Sequence, residues 1–257
     1  MNAVDPNTIH RVMHEIKRRK LTVLRVVDLT PRMRRITVGG PELAGFISLG
    51  SDDHVKLFFP QTAQEQAALE GLTLSEGLKN SAMAPMRDYT PRRYDLQTLE
   101  LDIDFVLHGD GPAATWAANA APGQHLHIGG PRGSMIVPDI FDNYVLIGDE
   151  TALPAIARRL EELPANRRAW VVVEVENARE QQLLNSRASV EVVWVHRHAP
   201  DQDLLSTVEQ LKIPEGKVYA WVATESALSR KLRRVLLDTH QLPEAYVKAA
   251  GYWRAEE

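Results

Sequence analysis

The feature that most limits how this chain can fold is a change of pattern near Pro138. After it, apolar runs at Tyr144 to Ile147, Trp170 to Val175, Val190 to Val195, Val218 to Ala223 and Tyr246 to Ala249 alternate with helical stretches near 151–163, 177–185, 201–211 and 226–240. Strands without polar alternation, joined by helices, are buried on both faces, which predicts a doubly wound parallel sheet. Before Pro138 the pattern is of short strands, at 21–28, 33–38, 54–59, 99–107 and 124–128. In the clearest, Leu101, Ile103, Phe105 and Leu107 alternate with Asp102, Asp104 and Val106, the period-two signature of a strand with one buried face. Short strands punctuated by Gly and Pro predict an antiparallel β-barrel. One helix interrupts it, Pro112 to Ala120, opened by Gly111-Pro112 and closed by Pro122-Gly123. Between strands, Gln61 to Met86 is rich in Ala, Gln and Glu and reads as a functional or mobile excursion holding one short helix. Two domains are expected, 1–140 and 141–257, with the boundary within Pro138 to Asn143.

The absence of cysteine removes disulfide scaffolds, cysteine-ligated metals, CxxC redox chemistry and cysteine nucleophiles, so any redox chemistry needs a bound cofactor. A net charge of −4 argues against a general nucleic-acid partner, which needs a basic face to displace counterions. No apolar run approaches the roughly 18 residues of a membrane span, and no secretion signal is evident, so a cytoplasmic protein acting as a monomer, without membrane partner, is expected. Ile9, Val12, Met13 and Ile16 fall at helical spacing before Lys17, Arg18, Arg19 and Lys20, which predicts a short amphipathic helix with a solvated, charged exit. His10 and His14 would then lie one helical turn apart.

The first strand of the second half runs into Gly148-Asp149-Glu150-Thr151-Ala152-Leu153-Pro154-Ala155. At the carboxyl end of a parallel strand a helix start offers free amides to a pyrophosphate. This is not a GxGxxG, and Asp149 with Glu150 would repel phosphate, so a structural turn with helix-capping acids is the competing reading. Glu174 and Glu176, after the second strand, stand where an acid could hold an adenosine ribose; Arg179 could instead meet a 2′-phosphate, and exposed strand-end charges are the plain alternative.

In the first half, Arg87-Asp88-Tyr89-Thr90-Pro91-Arg92 combines a guanidinium suited to pyrophosphate, a ring that can stack, a hydroxyl and a stiffening proline. That set suits a flavin dinucleotide, with a solvated edge strand as the alternative. His108-Gly109-Asp110-Gly111-Pro112 and Gly129-Gly130-Pro131-Arg132-Gly133-Ser134 are glycine-rich turns whose amides could meet phosphate oxygens.

Taken together and in order, RDYTPR at 87–92, HGDGPAATWA at 108–117, GPRGS at 130–134, GDETALPA at 148–155 and GYWR at 251–254 resemble the siderophore-interacting proteins, flavin-dependent ferric-siderophore reductases. The resemblance spans nearly the whole chain from about residue 20. It implies a ferredoxin-NADP reductase-like fold, with an FAD-binding antiparallel barrel over 1–140 and an NAD(P)H-binding α/β domain over 141–257. By motif it places Arg87, Tyr89 and Thr90 along the flavin, with Tyr89 against the isoalloxazine. His108, Gly111, Pro112, Ala113 and Ala114 would meet the ribityl-pyrophosphate-adenine portion, completed by Gly133 and Ser134. Asp149, Glu150, Thr151 and Ala152, with Thr224 and Glu225, would serve NAD(P)H, and Trp253 would cover the flavin or pack the last strand. Basic side chains near the open flavin face would receive an anionic ferric chelate, with Lys56 and Arg132 as candidates. The resemblance thus implies electron transfer from NAD(P)H through FAD to a ferric siderophore, with no catalytic acid or base. A reductase serving a protein or free flavin, and a non-enzymatic siderophore-binding or nucleotide-sensing module, are the alternatives.

Other constellations carry less. His125-x-His127 and His196-x-His198 put imidazoles on one strand face without an identifiable third ligand, so no metal is expected. No GxSxG follows a strand, which argues against a serine hydrolase. Trp116, Trp170, Trp194 and Trp221 read as core.

Overall fold

The structure, a computed structural model, describes residues 5, 7–71, 84–200 and 202–255. The chain divides into two compact units, Met1–Val137 and Pro138–Glu257.

The first unit contains β1 (His10–Met13), β2 (Arg18–Thr30), β3 (Met33–Gly39), β4 (Val55–Phe58), α1 (Ala63–Gly71), β5 (Met86–Tyr89), β6 (Arg93–Asp95), β7 (Glu100–Val106), α2 (Pro112–Ala118), β8 (His125–Gly129) and β9 (Gly133–Ile136). Seven strands form an antiparallel sheet in the order β5-β4-β8-β2-β3-β7-β6, and β1 pairs with β9. Leu21 and Val23, Ile36 and Val38, Val55 and Leu57, Leu101, Ile103 and Phe105, and Leu126 and Ile128 come from five strands yet share one buried cluster, so the sheet curls about its own inner face as a barrel does. The alternation read in β7 therefore points its apolar residues inward. Its partners Asp102 and Asp104 are buried on the other face, where Thr37 donates to Asp102 at 2.6 Å and Arg35 grips Asp104 with two bonds of 2.7 and 2.8 Å. Helix α2 closes the cluster with Ala113, Ala117 and Trp116, whose ring lies 5.6 Å from Phe105 and 5.8 Å from Phe59.

The expected first helix is not formed. Residues 10–13 are strand, because pairing with β9 satisfies their backbone and the distant partner outweighs the local apolar period. Arg18 to Lys20 begin β2; Arg19 is buried rather than solvated, lying 5.3 Å over the Phe46 ring and donating to the Gly130 carbonyl at 3.3 Å. The excursion after β4 contains one helix, α1, whose Leu69 packs with Phe58, Ala84 and Met86; the remainder, 72–83, lies outside the described residues.

The second unit contains β10 (Asn143–Gly148), α3 (Leu153–Glu162), β11 (Arg168–Val175), β12 (Ser189–His196), α4 (Leu204–Glu209), β13 (Val218–Glu225), α5 (Ser226–Arg234) and β14 (Val247–Trp253). All five strands are parallel, in the order β12-β11-β10-β13-β14. Helical spacing near 177–185 yields only a single 3-10 turn, Ala178–Glu180, and the last helix ends in a π turn over Val235–Thr239. Trp221 is buried, whereas Trp170 and Trp194 are half-buried. No helix among the described residues is long and apolar enough to cross a membrane.

His127 on β8 faces away from the barrel interior and is buried, and neither ring nitrogen has a hydrogen-bond partner among the described residues. Burial first, then the nearby Arg18 and Lys20 charges, push its pKa down to about 4. An unfolded histidine takes up a proton near pH 6.5, so the unfolded chain binds the extra proton between those values. The neutral ring's contribution is therefore complete above about pH 6.5 and declines as pH falls toward 4. Thermal melts of the wild type should show a loss of about 2 kcal/mol by pH 5 from this group. The loss should be absent in His127→Leu; parallel pH profiles for the two proteins would contradict the assignment.

Candidate functional site

In the first unit, β5 presents the Arg87–Tyr89 segment antiparallel to β4, with Asp88 opposite Lys56 and Tyr89 opposite Val55. Arg87 is exposed, and its Nη1 donates to the adjacent Met86 carbonyl at 2.8 Å. Tyr89 packs on Phe105 with ring centroids 4.4 Å apart, and burial raises its phenol well above the ordinary range, so it remains a neutral hydroxyl. Thr90 is buried at the end of this segment, directly after Tyr89. Lys56 and Asp88 form an ion pair of 2.9 Å, so the proposed substrate lysine is already partly neutralised. Arg132 is exposed.

The start of α2 follows exposed His108. Gly109 has φ +57, which explains that glycine. Gly111 differs: its φ is −65, and among the described residues nothing lies within 4 Å of where a Cβ would stand. The fold therefore gives no reason for a missing side chain at 111, and the open space lies directly before Pro112, Ala113 and Ala114, at a helix start that no side chain caps. Pro112 has no N–H, so a phosphate would approach the Ala113 and Ala114 amides, and it needs that room.

The segment expected to complete this cradle has another role. Gly130, at φ +96, lies in a turn, but Gly133 and Ser134 are in β9. A Cβ on Gly133 would stand 2.6 Å from the Val12 carbonyl oxygen, so that glycine is required by β1. The Ser134 hydroxyl donates to Asp53 at 2.5 Å, accepts from the Leu49 amide at 3.0 Å and meets His14 Nε2 at 2.7 Å. Ser134 is buried and its hydroxyl committed, with a carboxylate behind it that disfavours a phosphate there. Sequence reading paired His14 with His10 instead and gave Asp53 no role; the two lie 120 and 81 residues away from Ser134 along the chain.

In the second unit, Gly148 ends β10 and a Cβ there would fall on the Ala152 methyl, with the Ala223 carbonyl 3.0 Å away. Ala152 is fully buried and serves this close helix–strand approach, so it is a packing residue and not one that touches a nucleotide through its side chain. Asp149 is buried; its Oδ1 accepts from the Thr151 amide at 2.9 Å and hydroxyl at 2.5 Å, and its Oδ2 from Trp253 Nε1 at 2.8 Å. Burial raises the Asp149 pKa, opposed by those donors. Asp149 thus shapes the turn and anchors Trp253 at the end of β14, while the α3 start keeps no side-chain cap. Thr224 is fully buried and donates to the Glu225 carbonyl at 3.0 Å. Glu225 accepts from Ala227 and Leu228 amides at 2.6 and 2.9 Å, so the carboxylate already occupies the α5 start, where a phosphate would have had to bind. Neither residue is placed as an open nucleotide ligand.

Glu150 and the strand-end acids are drawn together by Arg197, which sequence reading did not single out. Its Nη2 reaches Glu150 at 2.5 Å, Nε Glu174 at 3.2 Å and Nη1 Glu176 at 3.1 Å. Burial works against its charge, but Glu150 and then Glu174 outweigh that and raise its pKa. No group of three or more His, Asp or Glu side chains that could hold a metal occurs among the described residues.

Comparison with known proteins decides the family. The model for the siderophore-interacting FAD-binding domain matches residues 22–135, and that for siderophore-interacting protein matches 141–256. The chain belongs to the siderophore-interacting protein family. A family relative from Escherichia coli (strain K12), NADPH-dependent ferric-chelate reductase, is 35% identical over 98% of each chain. The crystal structure of a siderophore utilization protein from T. fusca superposes with a TM-score of 0.86 at 38% identity, covering 97% of both chains. A ferredoxin NADP+ reductase from Neisseria gonorrhoeae, 14% identical, shares the fold with a TM-score of 0.66 over 92% of this chain and 99% of its own. The antiparallel unit followed by the parallel-sheet unit is therefore the ferredoxin-NADP reductase-like architecture.

The open Gly111 position, before a helix start without a side-chain cap, fits the flavin that this family's first domain binds. Replacing Gly111 with Ala should change the stability of the flavin-free protein by no more than about 0.5 kcal/mol, since its backbone angles suit any residue. It should lower FAD occupancy severalfold in the purified protein, measured as flavin absorbance per protein; unchanged occupancy would show that no ligand uses the space.

Proposed function

We propose that this chain is a flavin-dependent reductase that carries electrons from NAD(P)H through FAD to ferric siderophores and releases ferrous iron. Support comes from an FAD-binding family match and a second family match that together run through both units, beside a ferric-chelate reductase relative aligned over the same length. Residues 1–140 are assigned to FAD and 141–257 to the pyridine nucleotide. The reaction is assigned to the cytoplasm, where reduced pyridine nucleotide is supplied.

Bound FAD supplies the coupling between a two-electron donor and a one-electron acceptor, which no side chain of this cysteine-free protein can provide. The protein's part is binding and charge. Arg87, exposed and facing no carboxylate at bonding distance among the described residues, is assigned to the pyrophosphate; Tyr89 offers a ring braced by Phe105, and Thr90 is assigned a hydroxyl contact with the flavin. His108 and the uncapped start of α2 are assigned to the remaining phosphate and adenine contacts. Thr151 and the α3 start are assigned to NAD(P)H. Ferric ion is hard and held by oxygen donors, and reduction weakens that hold, so no acid or base is required at the metal.

Lys56 and Arg132 are assigned to capture of an anionic chelate. Lys56 lies beside Gly129 in the register of β4 and β8, three residues before Arg132, and a local cationic patch must act against a net charge of −4. The Lys56–Asp88 pair makes this testable in both directions. Lys56→Ala and Arg132→Ala should each raise the apparent KM for an anionic ferric siderophore severalfold and flatten its salt dependence, while Asp88→Asn should lower that KM. A neutral ferric siderophore should be little affected. Equal losses with both acceptors, or none with either, would remove these residues from substrate capture and favour an acceptor other than an anionic chelate.

A further inference from the structure

Strand β9 begins directly after Arg132, and two other segments press against it. One is β1, which approaches so closely that a Cβ on Gly133 would fall 2.6 Å from the Val12 carbonyl oxygen. The other is the loop before β4. A Cβ on Gly50 would lie 2.9 Å from the Met135 carbonyl oxygen and 2.8 Å from Asp53 Oδ1. Both backbones would have to move apart to admit even a methyl group.

Polar contacts join the same three segments. Ser134 Oγ donates to Asp53 Oδ2 at 2.5 Å and accepts from the Leu49 amide at 3.0 Å. Its remaining lone pair faces His14 Nε2 at 2.7 Å, which assigns the ring hydrogen to Nε2. Asp53 Oδ2 also receives the Ser48 hydroxyl at 2.9 Å and the Gly50 amide at 3.1 Å. Ser134 and Asp53 are buried, so the network is shielded from water and a lost member leaves its partners unsatisfied.

The consequence falls on the two cations that flank the network. The carbonyl of Arg132 accepts from the His14 amide at 2.9 Å. Upstream, the Gly130 amide donates to the Lys17 carbonyl at 3.0 Å, and buried Arg19 donates to the Gly130 carbonyl at 3.3 Å. The backbone is therefore held on both sides of Arg132, whose guanidinium is exposed. Lys56 lies three residues beyond Asp53, beside Gly129 in the β4–β8 register. The Asp53–Ser134 bond thus ties together the two segments that carry these cations, close to each. A long cationic side chain loses rotamer freedom when it meets an anion, and a backbone that also wandered would add to that cost.

We infer that His14, Ser134 and Asp53 are positioning residues for substrate capture: their bonds fix the spacing of Lys56 and Arg132, so that one multiply charged ferric chelate meets both cations at once. The inference rests on the charge-capture reading of Lys56 and Arg132 and extends it to side chains that touch no substrate.

The test uses the flavin-loaded protein and, as probe, the gallium(III) complex of a tris-catecholate, which matches the ferric complex in charge and size but is not reduced. Its Kd is measured by calorimetry. His14→Ala and Asp53→Asn should each weaken binding about fivefold. His14→Gln, whose amide can still donate to Ser134, should recover most of that loss, and anaerobic bleaching of the flavin by NADH should be unchanged in all three. Should Asp53→Asn fail to fold, the half-buried His14 decides alone. The decisive comparison is in the Arg132→Ala background, where the cation to be positioned is gone. There His14→Ala should weaken binding by less than about twofold. The same factor in both backgrounds, a parallel loss of bleaching rate, or wild-type affinity in His14→Ala would each overturn the inference and leave charge capture standing. If Arg132→Ala and Lys56→Ala both bind the gallium complex as tightly as the wild type, charge capture falls and the inference with it.

Discussion

In the second unit, a side chain on Gly148 would collide with the methyl of Ala152, and much of the unit's chemistry depends on that exclusion. With no Cβ on β10 and only a methyl on Ala152, helix α3 begins directly against the strand, with Ile156 3.3 Å and the Ala223 carbonyl 3.0 Å from the same point. The intervening residues then have one compact route. Asp149 is driven inward, where it ties Thr151 and the Trp253 indole, and Glu150 is directed toward Arg197. A burial that raises the Asp149 carboxyl's pKa is tolerated because three donors surround it. The close packing thereby fixes an uncapped helix start and an acidic strand edge at the same end of the sheet.

Charge is distributed differently in the first unit. Carboxylates on the outer barrel face are paired, as Asp104 is with Arg35, or hydrogen-bonded, as Asp102 is with Thr37. Arg87 and Arg132 are exposed, and Lys56 shares its charge with one aspartate. In the second unit, by contrast, three carboxylates at the strand ends share the one guanidinium of Arg197. This asymmetry lies in local arrangement, since the net charge of −4 alone points to neither.

Much of the architecture was legible in the sequence because its signals are local. The β7 alternation and the continuous apolar runs of β10, β11 and β13 each carry their own period. What escaped depends on distant partners or short segments. Ile9, Val12, Met13 and Ile16 fit a helix, yet β1 forms because β9, more than a hundred residues later, supplies its hydrogen bonds. Strands β5 and β6, of four and three residues, are too short to display a pattern. Among site residues, the motif-borne set of Arg87, Tyr89 and Thr90 shares one stretch, whereas the commitment of Ser134 to Asp53 and His14, and of three acids to Arg197, arises only from folding. Glu225 caps α5, a role that its position before a helix signals in the sequence.

The central claim is that electrons stored on this protein's flavin leave singly to ferric iron. The direct measurement is a single-turnover reaction without oxygen: the purified flavoprotein is reduced with one equivalent of NADH and mixed with an anionic ferric siderophore and a ferrous-specific chromophoric chelator. The account predicts return of the oxidised flavin spectrum together with about two ferrous ions per flavin. Flavin that stays reduced until air is admitted, with no ferrous complex formed, would contradict it.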